Sequence, residues 1–183
     1  MRIRVWPWMV GLLLAQPAQA QGGEKEKPAA ASSVSVADAD LEFARAAWQA
    51  GVTNIRLGEL AGSVAENAEV QRFARLVVLD DSRLREDLEL ILKDLGIVPA
   101  DVLDAPHQAL VRRLSRLTGT AFEREYLQVM VQVQAQSLGR FAMQSKDGRD
   151  ERLRSYADQY QPVIEQHLHR AAALRMAYLP LRK

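Results

Sequence analysis

Four positions in this chain place polar residues in the middle of apolar stripes: Asn54, Asp81 with its neighbour Asp80, Gln134 and His167. Around each of them apolar residues recur at alternating three- and four-residue steps, the spacing that keeps side chains on one face of a helix. If four such helices pack side by side, the interruptions meet at about one height. An amide, carboxylate or imidazole buried without a partner costs roughly 1–3 kcal/mol, so scattered groups are hard to tolerate and grouped ones satisfy each other. Two chemistries follow from these residue types. One is a hydrogen-bonded layer that fixes helix register. The other is a divalent metal site, with His167 and Asp80 or Asp81 as ligands and Asn54 or Gln134 as weak oxygen donors. A shifted register, turning some of these residues to solvent, is the remaining alternative.

The elements that must position these residues follow from the same periodicity. A first helix starts near Asp38, a good cap residue, and runs to about Ser63, with Phe43, Ala47, Ala50, Asn54, Leu57 and Ala61 on its stripe. Gly51, Gly58 and Gly62 weaken helix propensity but let a neighbour approach closely. Asn67 caps a second helix carrying Val70, Phe73, Val77, Leu84, Leu88, Ile91 and Leu95, and Gly96 ends it. Its stripe has one gap, at Asp80 and Asp81. After a loop, Asp104 with Pro106 in the first turn begins a short amphipathic segment through Leu110, Leu114 and Leu117. Thr120 and Glu123 form a capping box for a fresh start, followed by Leu127, Val131, Gln134, Leu138 and Phe141. The expectation is a short helix feeding a long one. Lys146-Asp147-Gly148 is a turn. The last helix carries Leu153, Tyr156, Tyr160, Ile164, His167, Ala171, Leu174 and Tyr178, with Pro162 inside it as a kink and Pro180 beyond its end. No stretch alternates with period two. The reading is all-α: an antiparallel four-helix bundle over residues 37–179, with a short extra helix before the third long one.

The chain outside the bundle speaks to compartment. Residues 1–20 have a basic start at Arg2 and Arg4, an apolar run from Val5 to Ala15, and Ala18-Gln19-Ala20 as a small-residue cleavage site. They read as a signal peptide, and the apolar run is too short to span a bilayer. Residues 21–36 have no apolar period and carry Gly22-Gly23 and alternating Glu24-Lys25-Glu26-Lys27, the composition of a flexible linker. The expected location is the periplasm or an outer-membrane association, with no integral membrane segment after cleavage. Removing Arg2 and Arg4 from the 24 Lys and Arg leaves 22 against 23 acidic residues. A balance near −1 gives no reason to expect nucleic acid as a partner. There is no cysteine, which excludes disulfides, thiolate metal sites and a cysteine nucleophile.

Catalytic motifs are missing from the sequence. It contains no Glu-x-x-His of the kind that di-iron bundles require on two helices, no G-x-S-x-G elbow, no phosphate-binding glycine loop and no His-Glu-x-x-His. Glu165 and His169 stand four apart and suit a surface pair, and His107 falls in the first turn of a helix.

From Ala39 to Met176 the chain resembles the exported bacterial helical-bundle family catalogued as domain of unknown function 4142. The resemblance is carried by Gly51 with Leu57-Gly58-Glu59-Leu60-Ala61, Val70 with Phe73-Ala74, Asp80, Leu84, Phe122, Tyr126-Leu127 with Met130-Val131, Phe141, and Pro162 with His167-Leu168. It implies a ferritin-like fold and a periplasmic or outer-membrane protein without an assigned reaction. It also implies Glu at the place of Asn54, Asp-His at Asp80-Asp81 and His at Gln134, with only His167 kept. The positions found by periodicity are thus those where the family carries acids and imidazoles, and this chain has exchanged most of them for poorer ligands. The resulting expectation is an exported, non-enzymatic bundle of the cell envelope with a structural or interaction role. Its internal polar layer would be a vestigial metal centre, and its partner an envelope protein or a second copy. The alternative is a ferritin-like metal-binding protein of storage or stress protection.

Overall fold

Five helices and no strand make up residues 37–178, the part of the chain that the computed structural model describes. The expected signal peptide and linker, residues 1–20 and 21–36, lie outside the described residues, as does Pro180. Helix α1 spans Asp38–Val64, α2 Ala68–Asp94, α3 Ala105–Leu114, α4 Gly119–Asp147 and α5 Glu151–Met176. Local chemistry explains most of these ends. The Asn67 side chain accepts from the Glu69 N–H to start α2. Gly96, at φ +72°, follows the cap residue Leu95 at the end of α2, in the left-handed conformation that glycine adopts freely. The Asp104 carboxylate accepts from the His107 N–H, with Pro106 in the first turn of α3.

Two local expectations need correction. Asp38 is the first helical residue rather than the cap; the cap position is Ala37, which makes no side-chain bond. Thr120 and Glu123 do not form a capping box. Helix α4 starts two residues earlier, after Thr118, and the Glu123 carboxylate is buried and turned toward another helix pair. Pro162 lies inside α5, as expected, and the helix runs unbroken from Glu151 to Met176. Proline removes the partner of the carbonyl four residues back, here that of Asp158. Both residues are exposed, so water can take that bond.

Helix α1 packs against α2 and α4, while α5 packs against α4 and α2; the short α3 lies on α1 and α4. Two apolar clusters fill the interior. One gathers Leu57, Val70, Phe73, Leu114, Phe122, Tyr126 and Met130, the other Phe43, Trp48, Leu88, Phe141, Leu153 and Tyr156. Each draws on all four long helices, so the two ends of the bundle have separate cores. Close approach is built into α1 at one glycine. A Cβ on Gly58 would lie 2.6 Å from Val78 Cγ2 and 3.1 Å from the Ala74 carbonyl oxygen, whereas Gly51 and Gly62 have open space. Among the described residues no helix is long and apolar enough to cross a membrane.

Inward faces are wider than the expected stripes. On α1, Ala47 and Ala50 are half-buried while Ala44, Trp48 and Gly51 are buried. On α4, Val131 and Leu138 are half-buried, and the buried line is Phe122, Tyr126, Met130, Gln134, Ser137, Phe141 and Gln144. The axis of that face lies one residue away from the one drawn through Leu127 and Val131.

Candidate functional site

Between the two apolar clusters lies a waist of polar side chains. Asn54 from α1, Asp81 from α2, Gln134 from α4 and His167 from α5 are all buried, so none of the four turns to solvent. Asp80 is the exception in the expected set, with 18% of its side chain exposed at the rim. Alternation along α2 explains the difference: Val77, Asp81, Leu84 and Leu88 share the inward face, and Asp80 sits at its edge.

Two contacts tie the waist together. Asn54 Nδ2 donates to Asp81 Oδ1 at 2.9 Å, joining α1 to α2. His167 Nε2 meets Asp80 Oδ2 at 3.0 Å, joining α5 to α2. With Nε2–H donating to that carboxylate, the other ring nitrogen is bare. It stands 3.9 Å from Asp81 Oδ2, beyond hydrogen-bond reach. The His167 ring also meets Phe73 edge-on, with centroids 6.3 Å apart. Gln134 joins the others differently. No side-chain hydrogen bond links it to Asn54, Asp81 or His167; it lines a small cavity of about 10 Å³ together with Asn54, Asp81 and Ser137.

Electrostatics follow from the depth. Burial pushes the Asp81 carboxyl up from its ordinary 3.8 to about 7; the Asn54 hydrogen bond works against this and the Asp80 charge adds to it. Burial holds His167 below the ordinary imidazole value, opposed by its bond to Asp80. Both shifts favour neutral forms, as expected where low-dielectric surroundings penalise charge. The Tyr126 hydroxyl, buried and without a protein partner, is raised mainly by burial, with the Asp81 charge second.

Several polar residues in the interior were not singled out by sequence spacing. Tyr126 and Ser137 belong to the inward line of α4, which a reading through Phe122, Met130 and Phe141 would have found. Asp40 and Glu123 are buried carboxylates that hold connections between helices; no local pattern announces them, because their partners are backbone amides far away in sequence. A wider cleft of about 520 Å³ opens between the start of α1 and the end of α4, lined by Phe43, Arg140, Met143 and Arg149 among others. It lies away from the waist.

Comparison with known proteins gives this arrangement a family. The model of the Domain of unknown function (DUF4142) matches residues 25–174. The chain belongs to this family. Among solved structures, the DUF4142 chain is similar to the crystal structure of a DUF305 fragment from Deinococcus radiodurans. The TM-score is 0.67 at 17% identity, covering 78% of this chain and 98% of that one. Identity at that level speaks for the fold alone, an all-helical one. No curated protein matches.

The donor set can be tested against the metal that a ferritin-like bundle would hold. Such centres gather several carboxylates and imidazoles from facing helices. Among the described residues no group of three or more His, Asp or Glu side chains comes together so as to hold an ion. Asp80, Asp81 and His167 are neighbours, yet His167 spends Nε2 on one carboxylate and stays 3.9 Å from the other. Asn54 offers Asp81 its amide nitrogen rather than sharing an ion with it. This geometry does not fit a resident metal.

Proposed function

We propose that this DUF4142 member is an exported, non-enzymatic protein of the cell envelope, with a structural or interaction role. In this reading the chain is an antiparallel four-helix bundle of ferritin-like type, and its polar waist serves to fix helix register. One observation carries the proposal: Asn54 bonds Asp81 and His167 bonds Asp80, tying three helices together beside a cavity with room for about one water molecule. A substrate would need a cleft some thirty-fold larger or more. The 520 Å³ cleft has that size, but its buried carboxylate, Asp40, is already bonded to backbone amides and to Gln144. Export rests on the sequence of residues 1–20.

A register-fixing layer has a mutational signature. His167→Leu alone removes the partner of Asp80 at the rim and leaves a leucine beside the buried Asp81, and should cost about 1–3 kcal/mol. The same substitution in a chain that also carries Asp80→Asn, Asp81→Leu, Asn54→Leu and Gln134→Leu should cost much less. Thermal melting of the two proteins decides; a single variant that melts at the wild-type temperature removes the layer from the account. Elemental analysis of untagged protein is the companion measurement. Stoichiometric metal that disappears in His167→Ala would replace a structural role with a metal-binding one.

A further inference from the structure

Three buried polar atoms around the central cavity have no partner within the protein: Asn54 Oδ1, Asp81 Oδ2 and Gln134 Nε2. Their residues line the cavity together with Ser137, come from three different helices, and are each more than nine-tenths buried. An orphan polar atom at such depth costs about 1–3 kcal/mol, and three around one cavity point to a ligand. Their chemistry says which. Asn54 Oδ1 accepts, Asp81 Oδ2 accepts when ionised and donates when protonated, and the third is an amide nitrogen that only donates. A cation takes acceptors and is repelled by an N–H. An anion is repelled by the two oxygens. Water accepts and donates at once, and the cavity volume of about 10 Å³ suits about one molecule.

We propose that this cavity is a binding site for a single water molecule. The water accepts from Gln134 Nε2 and donates to Asn54 Oδ1; at Asp81 Oδ2 it donates to the ionised carboxylate and accepts from the protonated one, so that in either state α1, α2 and α4 are closed into one hydrogen-bonded ring. Through Asp81 it continues the Asn54 bond. His167 stands outside the site, because its ring does not line the cavity and its Nε2 is engaged by Asp80. The inference rests on the polar layer and not on the cellular role assigned to the chain.

Turning the Gln134 amide end over would offer a third oxygen and convert the site to one for a cation, so the test must see both occupants. Oxygen-17 and deuterium relaxation dispersion on the full chain counts long-lived internal waters. The wild type should hold one more than Gln134→Leu. In a high-resolution crystal structure of the wild type, one peak should lie about 2.7–3.0 Å from all three atoms, with no anomalous signal after soaking in rubidium or manganese salts. An equal count of internal waters in a folded Gln134→Leu overturns the proposal, and so does an anomalous peak or an empty cavity in the wild-type crystal. If Gln134→Leu does not fold, the wild-type crystal decides alone. A failure of the functional reading would show elsewhere, as metal lost with His167→Ala.

Discussion

Three carboxylates are buried in this bundle, and the two at its ends are treated very differently from the one at its waist. Glu123 of α4 accepts from the backbone N–H groups of Glu66 and Asn67, at 2.8 and 2.6 Å, and from the Tyr178 hydroxyl at 2.8 Å. Asp40 of α1 accepts from the N–H groups of Arg149 and Asp150, at 3.1 and 2.9 Å, and from Gln144 Nε2 at 2.7 Å. Each holds the connection of the other helical hairpin: Glu123 that between α1 and α2, Asp40 that between α4 and α5. Asp81 has one side-chain donor, Asn54, and no backbone amide. A carboxylate with three donors has its oxygens satisfied in a dry place. One with a single donor is driven toward its protonated form, as the rise of Asp81 to about 7 reflects. Burial alone therefore does not tell what an acid is for. The count of N–H groups aimed at it does.

This contrast can be broken experimentally, most forcefully at the ends. Glu123→Ala leaves two amides and a tyrosine hydroxyl without their acceptor and should lower unfolding stability by about 3–5 kcal/mol. Denaturant melts would measure it. A loss below about 1 kcal/mol would mean that water replaces the carboxylate and that the connection is not held by it.

The waist should respond with the opposite sign. Asp81→Asn keeps the shape and removes the charge, so at pH 8 it should stabilise by roughly 1–3 kcal/mol. Burial raises this carboxyl in the native state, so between 3.8 and about 7 the folded chain holds a proton that the unfolded chain has released. Wild-type stability therefore falls as pH rises through that window, and the full cost of Asp81 is present above it. The advantage of the Asn variant should shrink as pH falls through that window and be lost only below 3.8. His167 works in the other direction below its ordinary value of 6.5, where the unfolded chain takes up a proton that the buried ring resists. For that reason the variant and the wild type must be compared at each pH. An advantage that is equal at pH 5 and pH 8 would place a charged Asp81 in the native state throughout. The smallest effect is expected at Tyr178→Phe, which removes one of the three donors to Glu123 and should cost about 1 kcal/mol. If it costs as much as Glu123→Ala, the tyrosine rather than the backbone amides is the principal partner.

How far these features could be read in the sequence depends on how local their causes are. Helix ends at Asn67, Gly96 and Asp104 are set within a few residues, and capping chemistry marks them. The stripe of α5 from Leu153 through His167 to Ala171 is buried as its spacing implies, because one side of that helix packs on two neighbours. Helix α4 is harder. Its apolar residues are spread around more of its circumference, so Val131 and Tyr126 lie on competing lines, and only packing against α1 and α5 chooses between them. Asn54, Asp81, Gln134 and His167 could be found as interruptions, and burial brings all four inside. Their pairing could not, since a one-residue step along α2 decides that His167 bonds Asp80 and faces Asp81 at a distance. Glu123 shows the limit most clearly. Locally it completes a capping pattern with Thr120, and only the arrival of another hairpin's connection gives its carboxylate better donors.

The reciprocal hold of Asp40 and Glu123 on the two connections has a consequence for the order in which the chain can become finished. A ribosome delivers α1 and α2 first, with the amides of Glu66 and Asn67 open to water, because the acid that will take them lies 57 and 56 residues further on. Asp40 waits in the same way for Arg149 and Asp150, which follow 109 and 110 residues later. The hydroxyl that completes Glu123 belongs to Tyr178, the last residue of the described chain. The first hairpin therefore stays provisional until α4 and Tyr178 have been made.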